Sequence, residues 1–247
     1  PRSTGSTSAG SMNPPEKSPM ICLAFEFTSD RRSVAVSDGD QRVLSQVVHD
    51  RGRTTPVFRL IEQALAEAQV SRTSVQRLAV SIGPGSYTGI RLAIAAAQGW
   101  HLGTGIEVVA VDTFEALLRH TWRQGVPGPR VLCVNAQRQE LAVREWNGLS
   151  WEGPLHLEPA HRVLQRVAAG QAVFGPDLGT WIRSLPSAAT EVTVQADAVE
   201  AFPQASDVAL LGSIADPVPP ETLAPVYLRE AAFVKAPPHR VIPGITD

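Results

Sequence analysis

The chain has 247 residues, 22 basic against 24 acidic side chains and a formal charge of −2. That length allows two lobes, and the balance of charge excludes a global field that would draw in nucleic acid or an anionic membrane. The two cysteines, Cys22 and Cys133, stand in apolar runs with no CxxC or His/Cys cluster beside them, and no run approaches the roughly eighteen apolar residues of a membrane span, so a reduced cytoplasmic protein is expected.

Residues 1–19, rich in Ser, Gly and Pro, read as a tag or disordered leader, with the fold starting at Met20; a native disordered arm starting at Met12 is the alternative. The runs ICLAFEF, RSVAVSD and RVLSQVVHD are then three short β-rich segments parted by turn residues, a meander. In the next segment, residues 54–69, Val57, Leu60, Ile61, Ala64 and Ala68 fall at helical spacing. Arg59, Glu62, Gln63 and Glu67 lie opposite, Thr54 or Thr55 is the expected cap, and Pro56 sits in the first turn. RLAVSIG is a further strand. It is followed by a helix over residues 88–103, the strand EVVAVD, and a helix TFEALLRHTWR opened by an Asp112/Glu115 capping box. The order βββαβαβα predicts a mixed sheet covered by helices, as in a ribonuclease H-like lobe, over residues 20–124.

GVPGP, residues 125–129, marks the edge of that lobe. A second, smaller lobe is expected over residues 125–216. Its elements are RVLCVNAQ, ELAVREWNG, a helix near AHRVLQRVAAG, a strand AVFG, the helical stretch LGTWIRSL and a last helix around ASDVALLGSIAD. It reads as a trimmed copy of the first, without a residue-level repeat. Residues 217–247 are expected to pack back onto the lobes, with a disordered end.

The stretch GPGSYTGIRLAIAAAQGWHLG raises the question of function. A strand, a glycine turn and a helix can hold a phosphate. Yet no lysine completes a Walker loop, and the third glycine comes one position late for a dinucleotide fingerprint. The steric alternative is that Gly83, Gly85 and Gly89 permit a tight turn and close packing while Ser86 or Thr88 caps the helix. On the helix, Ile90, Ala93, Ile94 and Ala97 form one apolar face. Ala95, Gly99 and Gly103, beside Leu92 and Ala96, form a second stripe of small residues. That stripe is either covered by the helix of residues 54–69 or offered to another molecule.

These residues resemble the signature of the bacterial TsaB (YeaZ) family, close to GPGSFTGxRIGxxxAxGLA. PVYLRE at 225–230 resembles its C-terminal signature, and ICLAFEFTSDRRSVAV its first strand and turn. The resemblance covers roughly residues 20–235. It implies the two-lobed fold of the actin, sugar kinase and heat-shock chaperone superfamily. It also implies a non-catalytic partner that binds and activates the TsaD threonylcarbamoyl transferase which, with the ATPase TsaE, modifies tRNA adenosine 37. The partner contact would use the two first-lobe helices, through Val57, Leu60, Ile61, Ala64, Leu92, Ala95, Ala96, Gly99 and Gly103. The same helices would pair with a second copy when the chain is alone, and tRNA would be met only through the complex. No cofactor of its own is implied; ATP or ADP at the joint with the partner would lie near Glu26, Thr28, Gly83, Gly85 and Ser86.

Three departures bear on chemistry. Glu26 stands where the superfamily's first phosphate turn carries Asp, and one carboxylate is not a metal site. Asn135 stands without any glycine where the second phosphate turn would fall, and Asn135 and Gln137 replace the Asp-Ala-Arg frequent in the family. None of the six histidines, His49, His101, His120, His156, His161 and His239, is spaced i, i+4 with another as in the family's metal-binding transferases, so no metal is expected. A small-molecule kinase using Glu26 and the 83–89 loop around ATP is the rival reading, and a metallopeptidase a more distant one. Arg51 and Arg53, just before the first interface helix, are either solvated turn residues or contacts at the joint.

Overall fold

In ICLAFEF apolar residues occupy both faces, which suits a strand covered on both sides. The computed structural model, which describes residues 20–39, 41–50, 54–176, 178–179 and 198–229, makes it β1 (Ile21–Glu26), the middle of a five-stranded sheet. β2 (Arg31–Ser37) pairs antiparallel to β1 and β3 (Val43–Asp50) antiparallel to β2. β4 (Val75–Ser81) and β5 (Glu107–Val111) add in parallel on the other side, giving the order β3-β2-β1-β4-β5. Leu23, Phe25, Val34, Val36, Leu78 and Val80 face α1 (Val57–Glu67) and α2 (Tyr87–Thr104). The opposite face presents the small side chains Cys22, Ala24, Ala35 and Ala79. The expected leader, Arg51, Arg53, most of LGTWIRSL and the chain beyond 229 lie outside the described residues.

The second sheet repeats the plan. β6 (Arg130–Asn135) takes the central place, β7 (Glu140–Trp146) and β8 (Trp151–Pro159) follow antiparallel, and β9 (Val173–Gly175) and β10 (Ala198–Glu200) lie parallel, in the order β10-β9-β6-β7-β8. The duplication is therefore written in topology rather than in residues. β8 is missing from the element order expected from sequence. Gly153 and Pro154 interrupt its pattern, and an edge strand tolerates both, while Trp151, Leu155 and Leu157 alternate toward the core. On the outer face, α4 (Ala160–Ala168) buries Val163, Leu164 and Val167 against Val131, Cys133 and Val143.

Between the sheets lie α3 (Thr113–Arg123) and α5 (Ala205–Ile214). α3 packs Phe114, Leu117 and Leu118 against Leu132, Val134 and Phe174 of the second sheet. α5 follows the second lobe in the chain but lies on the first sheet, with Ala205, Val208 and Ala209 over its small side chains. The expected lobe boundary at 216 is corrected accordingly: the last helix of that span is part of the first lobe's packing. The first sheet also holds both helix ends. Ser33 Oγ accepts from Ala205 N at 2.9 Å and Gln46 Oε1 from Ser206 N at 2.8 Å, while Arg77 Nη1 donates to the carbonyls of Gly212, Ser213 and Ala215 at 3.1, 3.2 and 3.0 Å. These side chains satisfy backbone groups that every helix end leaves open. Asp207, fully buried on α5, faces Arg123 at 3.0 Å, His120 at 3.3 Å and Arg119 at 3.8 Å on α3, an ionic joint between the two layers.

Local capping follows the sequence in two helices and departs in one. Ser86 Oγ accepts from Gly89 N at 3.3 Å and Asp112 Oδ1 from Phe114 N at 2.7 Å. At α1 the cap position is Pro56 and no side chain caps it, so neither Thr54 nor Thr55 takes that role. Glu115 accepts the indole N–H of Trp151 at 2.6 Å, a partner from the second lobe. The C-terminal segment returns across the first lobe, with Val218 N donating to Val108 O at 2.8 Å and Val226 N to Ile82 O at 2.9 Å. Among the described residues no helix is long and apolar enough to cross a membrane.

Candidate protein interface and interlobe cleft

The glycine turn is seated on backbone. Ser86 N donates to Thr28 O at 2.6 Å, so an amide at the start of α2 is already used by the turn that follows β1. A Cβ on Gly89 would sit 1.9 Å from Phe27 O, and one on Gly85 2.3 Å from Thr28 O. Gly85, whose φ is +156°, and Gly89 thus allow helix and turn to meet at a distance no side chain would permit. Of the nucleotide-proximal residues anticipated from sequence, Glu26, Thr28, Gly85 and Ser86 lie against one another here, while the Gly83 carbonyl accepts from Thr113 N at 3.0 Å.

Glu26 is fully buried. Its Oε1 accepts from Thr28 N at 2.7 Å and from the Thr28 hydroxyl, and its Oε2 has no hydrogen-bond partner. Burial pushes this carboxyl above its ordinary range, and the Thr28 and Ser81 hydroxyls and the Thr28 amide oppose that only in part. Fully buried and hydrogen-bonded to Thr28, it is not offered to a metal ion in the cleft. The cleft between the β1–β2 turn and the β6–β7 turn has a volume of about 190 Å³, bordered by Thr28, Asp30, Ser86, Asn135 and Gln137. Across the cleft, Asn135 Oδ1 accepts from Gln137 N at 2.8 Å, and Gln137, Arg138 and Gln139 all hold positive φ (63°, 53° and 63°). Among the described residues no group of three His, Cys, Asp or Glu side chains could hold a metal ion.

The outer helices have a different character. α2 buries Ile90, Ala93, Ile94 and Ala97 against the sheet, and exposes Tyr87, Arg91, Ala95, Gly99, Leu102 and Gly103. A Cβ on Gly99 or Gly103 would meet nothing within 4 Å, so α1 does not cover the small-residue stripe. Leu102 is 85% exposed and Phe58 on α1 is 76% exposed. Between the helices runs an apolar groove of about 500 Å³ lined by Pro56, Val57, Phe58, Leu92, Ala95 and Ala96. Leu92 and Ala96 are half-buried at its floor.

For α1 the expectation needs correction. Leu60, Ile61 and Ala64, anticipated as partner contacts, are buried in the first lobe's own core, and Val57, anticipated with them and largely buried there too, keeps only an edge on the groove. The helix has one apolar stripe, and the sheet takes it. What α1 offers outward is Phe58, which sequence reasoning missed; the available signal was a large aromatic standing off the apolar stripe, next to Arg59.

Two sheets of identical strand order, with helices on their outer faces and a helix pair between them, give the two-lobed mixed α/β fold expected from the sequence. The comparisons are narrower. The family model "TsaD: tRNA N6-adenosine threonylcarbamoyltransferase" matches residues 51–153. The chain is 27% identical over 175 residues to the "tRNA threonylcarbamoyladenosine biosynthesis protein TsaB" of Escherichia coli (strain K12), covering 65% of this chain and 75% of that one. It is 28% identical over 138 residues to the protein of the same name from Buchnera aphidicola subsp. Schizaphis graminum, covering 54% and 65%. The solved structure "YeaZ from Pseudomonas aeruginosa" matches with a TM-score of 0.66 at 23% identity, over 85% of this chain and 100% of that one. The chain is thus similar to TsaB/YeaZ proteins over most of its length.

Proposed function

We propose that the chain acts in tRNA threonylcarbamoyladenosine biosynthesis as a non-catalytic partner that binds a TsaD-type transferase and holds it in its active form. The carrying observation is the uncovered face of α2, where Ala95, Gly99 and Gly103 lie between the exposed apolar side chains of Phe58 and Leu102. Small residues let helix axes approach to about 8 Å, and flanking apolar side chains supply anchors for an interface of about 1,600 Å². The match of residues 51–153 to the transferase model supports a partner carrying an equivalent helix pair, so that like would pack on like. The same property makes a second copy of this chain the occupant when the transferase is absent. TsaE, tRNA and any ATP or ADP at the joint belong to the assembled complex in this reading.

Ala95→Arg tests it. The side chain is exposed, so the variant folds, with a circular dichroism spectrum and melting temperature like those of the parent. Co-elution with the transferase on a sizing column, and threonylcarbamoylation of tRNA in its presence, are expected to be lost. An intact complex would refute the proposal. The kinase reading finds little support in a Glu26 that is fully buried and already hydrogen-bonded to Thr28; magnesium-dependent ATP binding to the isolated chain by calorimetry would revive it. The metallopeptidase reading has no ligand group to build on among the described residues.

A further inference from the structure

The exposed face of α2 does not end at its small residues. One turn before Ala95 stands Arg91, and one turn before that Tyr87, both exposed. Arg91 Nη1 donates to the Tyr87 hydroxyl at 2.6 Å. Tyr227, from the C-terminal segment, brings its ring to 5.8 Å from that of Tyr87, and is itself 57% exposed. The neighbouring Val226 N→Ile82 O bond at 2.9 Å fixes that segment to the end of β4. Behind the rings, the glycine turn, the β6–β7 turn and the C-terminal segment meet around a cavity of about 350 Å³. Three stretches far apart in sequence thus build one patch at the N-terminal end of the stripe.

Charge decides what this patch can receive. Tyr87 is the only hydrogen-bond partner of Arg91 among the described residues, and no Asp or Glu pairs with it there. Its remaining guanidinium N–H groups are preorganised by the tyrosine and directed from an exposed helix face. Arginine and tyrosine are the residue types that most often dominate binding energy, and a guanidinium matches a carboxylate in charge and shape.

We propose that Tyr87, Arg91 and Tyr227 form a second, polar contact with the transferase partner, taking one of its carboxylates. This rests on the reading of the α2 face as the docking surface, and extends it to a C-terminal residue that no helix-to-helix account includes. The affinity of the full chain for its cognate transferase is to be measured at low and high salt, for the parent and for Arg91→Ala, Tyr227→Phe and Ala95→Arg. Arg91→Ala is expected to weaken binding on the order of tenfold or more and to flatten the salt dependence. Tyr227→Phe, which keeps the ring and removes the hydroxyl, is expected to weaken it severalfold. If both bind like the parent while Ala95→Arg abolishes the complex, the second contact is wrong and the docking face stands. If Ala95→Arg also binds, the docking face itself is wrong. Weaker binding by Arg91→Ala with an unchanged salt dependence would exclude a carboxylate and overturn the proposal as well.

Discussion

Replacing Arg77 by Met tests how α5 is held. Arg77 projects from β4 with its side chain only 12% exposed, and its Nη1 faces three carbonyls at the C-terminal end of α5. Two protons on one nitrogen cannot make three full bonds, so two charge-assisted bonds at about 1.5 kcal/mol or more each set the scale, about 3 kcal/mol. Methionine keeps most of the aliphatic stem, which limits the loss of packing. The guanidinium also meets Glu107 at 2.7 Å, but that carboxylate is half exposed, and such a pair contributes about 1 kcal/mol at most. Arg77→Met should therefore lower the unfolding free energy by about 3 kcal/mol, a fall in melting temperature of about 6–12 °C for a chain of this size. Glu107→Gln should cost less than about 1 kcal/mol. Urea unfolding followed by circular dichroism measures both. If the two variants lose the same small amount, Arg77 is a surface ion-pair residue and the account of how the first sheet clamps α5 fails.

Glu26→Gln should stabilise the chain at and above neutral pH. Burial raises the folded-state pKa above its unfolded value, so ionisation penalises the native state above the folded pKa, and the penalty vanishes below the unfolded value of about 4.3. The variant's advantage in urea midpoint should accordingly shrink as pH falls toward about 4; a lower midpoint at pH 8, or a difference independent of pH, would count against it. Gly212→Ala should destabilise by about 1–3 kcal/mol, because its Cβ would lie 2.3 Å from that of Ala79 and force α5 off the sheet. A thermal melt indistinguishable from the parent's would show that the α5–β4 contact is looser than described.

Much of the first lobe is decided by neighbours in sequence. The alternation and continuity of apolar residues define β1 through β5, the 3.6-residue spacing of Ile90, Ala93, Ile94 and Ala97 selects the buried face of α2, and Ser86 and Asp112 cap helices through atoms two or three residues away. Hydrogen bonds and periodicities that close over one helical turn leave their mark in a short window. The exposed stripe of α2 is legible for the same reason, since a second apolar face is a local property of the helix.

What a helix faces is not local. α1 and α5 both read as helices, yet only packing shows that Leu60, Ile61 and Ala64 are spent on the chain's own core, or that α5 crosses to a sheet made of residues 21–111. β8, broken by Gly153 and Pro154, becomes a strand because β7 offers it an edge to pair with. Glu26 loses the character of a free carboxylate only once the β1–β2 turn and the start of α2 close over it, and Tyr87 finds Tyr227 across 140 positions of chain. Burial and long-range pairing depend on the whole set of surfaces that fold together, so the sequence alone determined most of the elements and which faces are apolar, and the tertiary structure decided which of those faces stay uncovered.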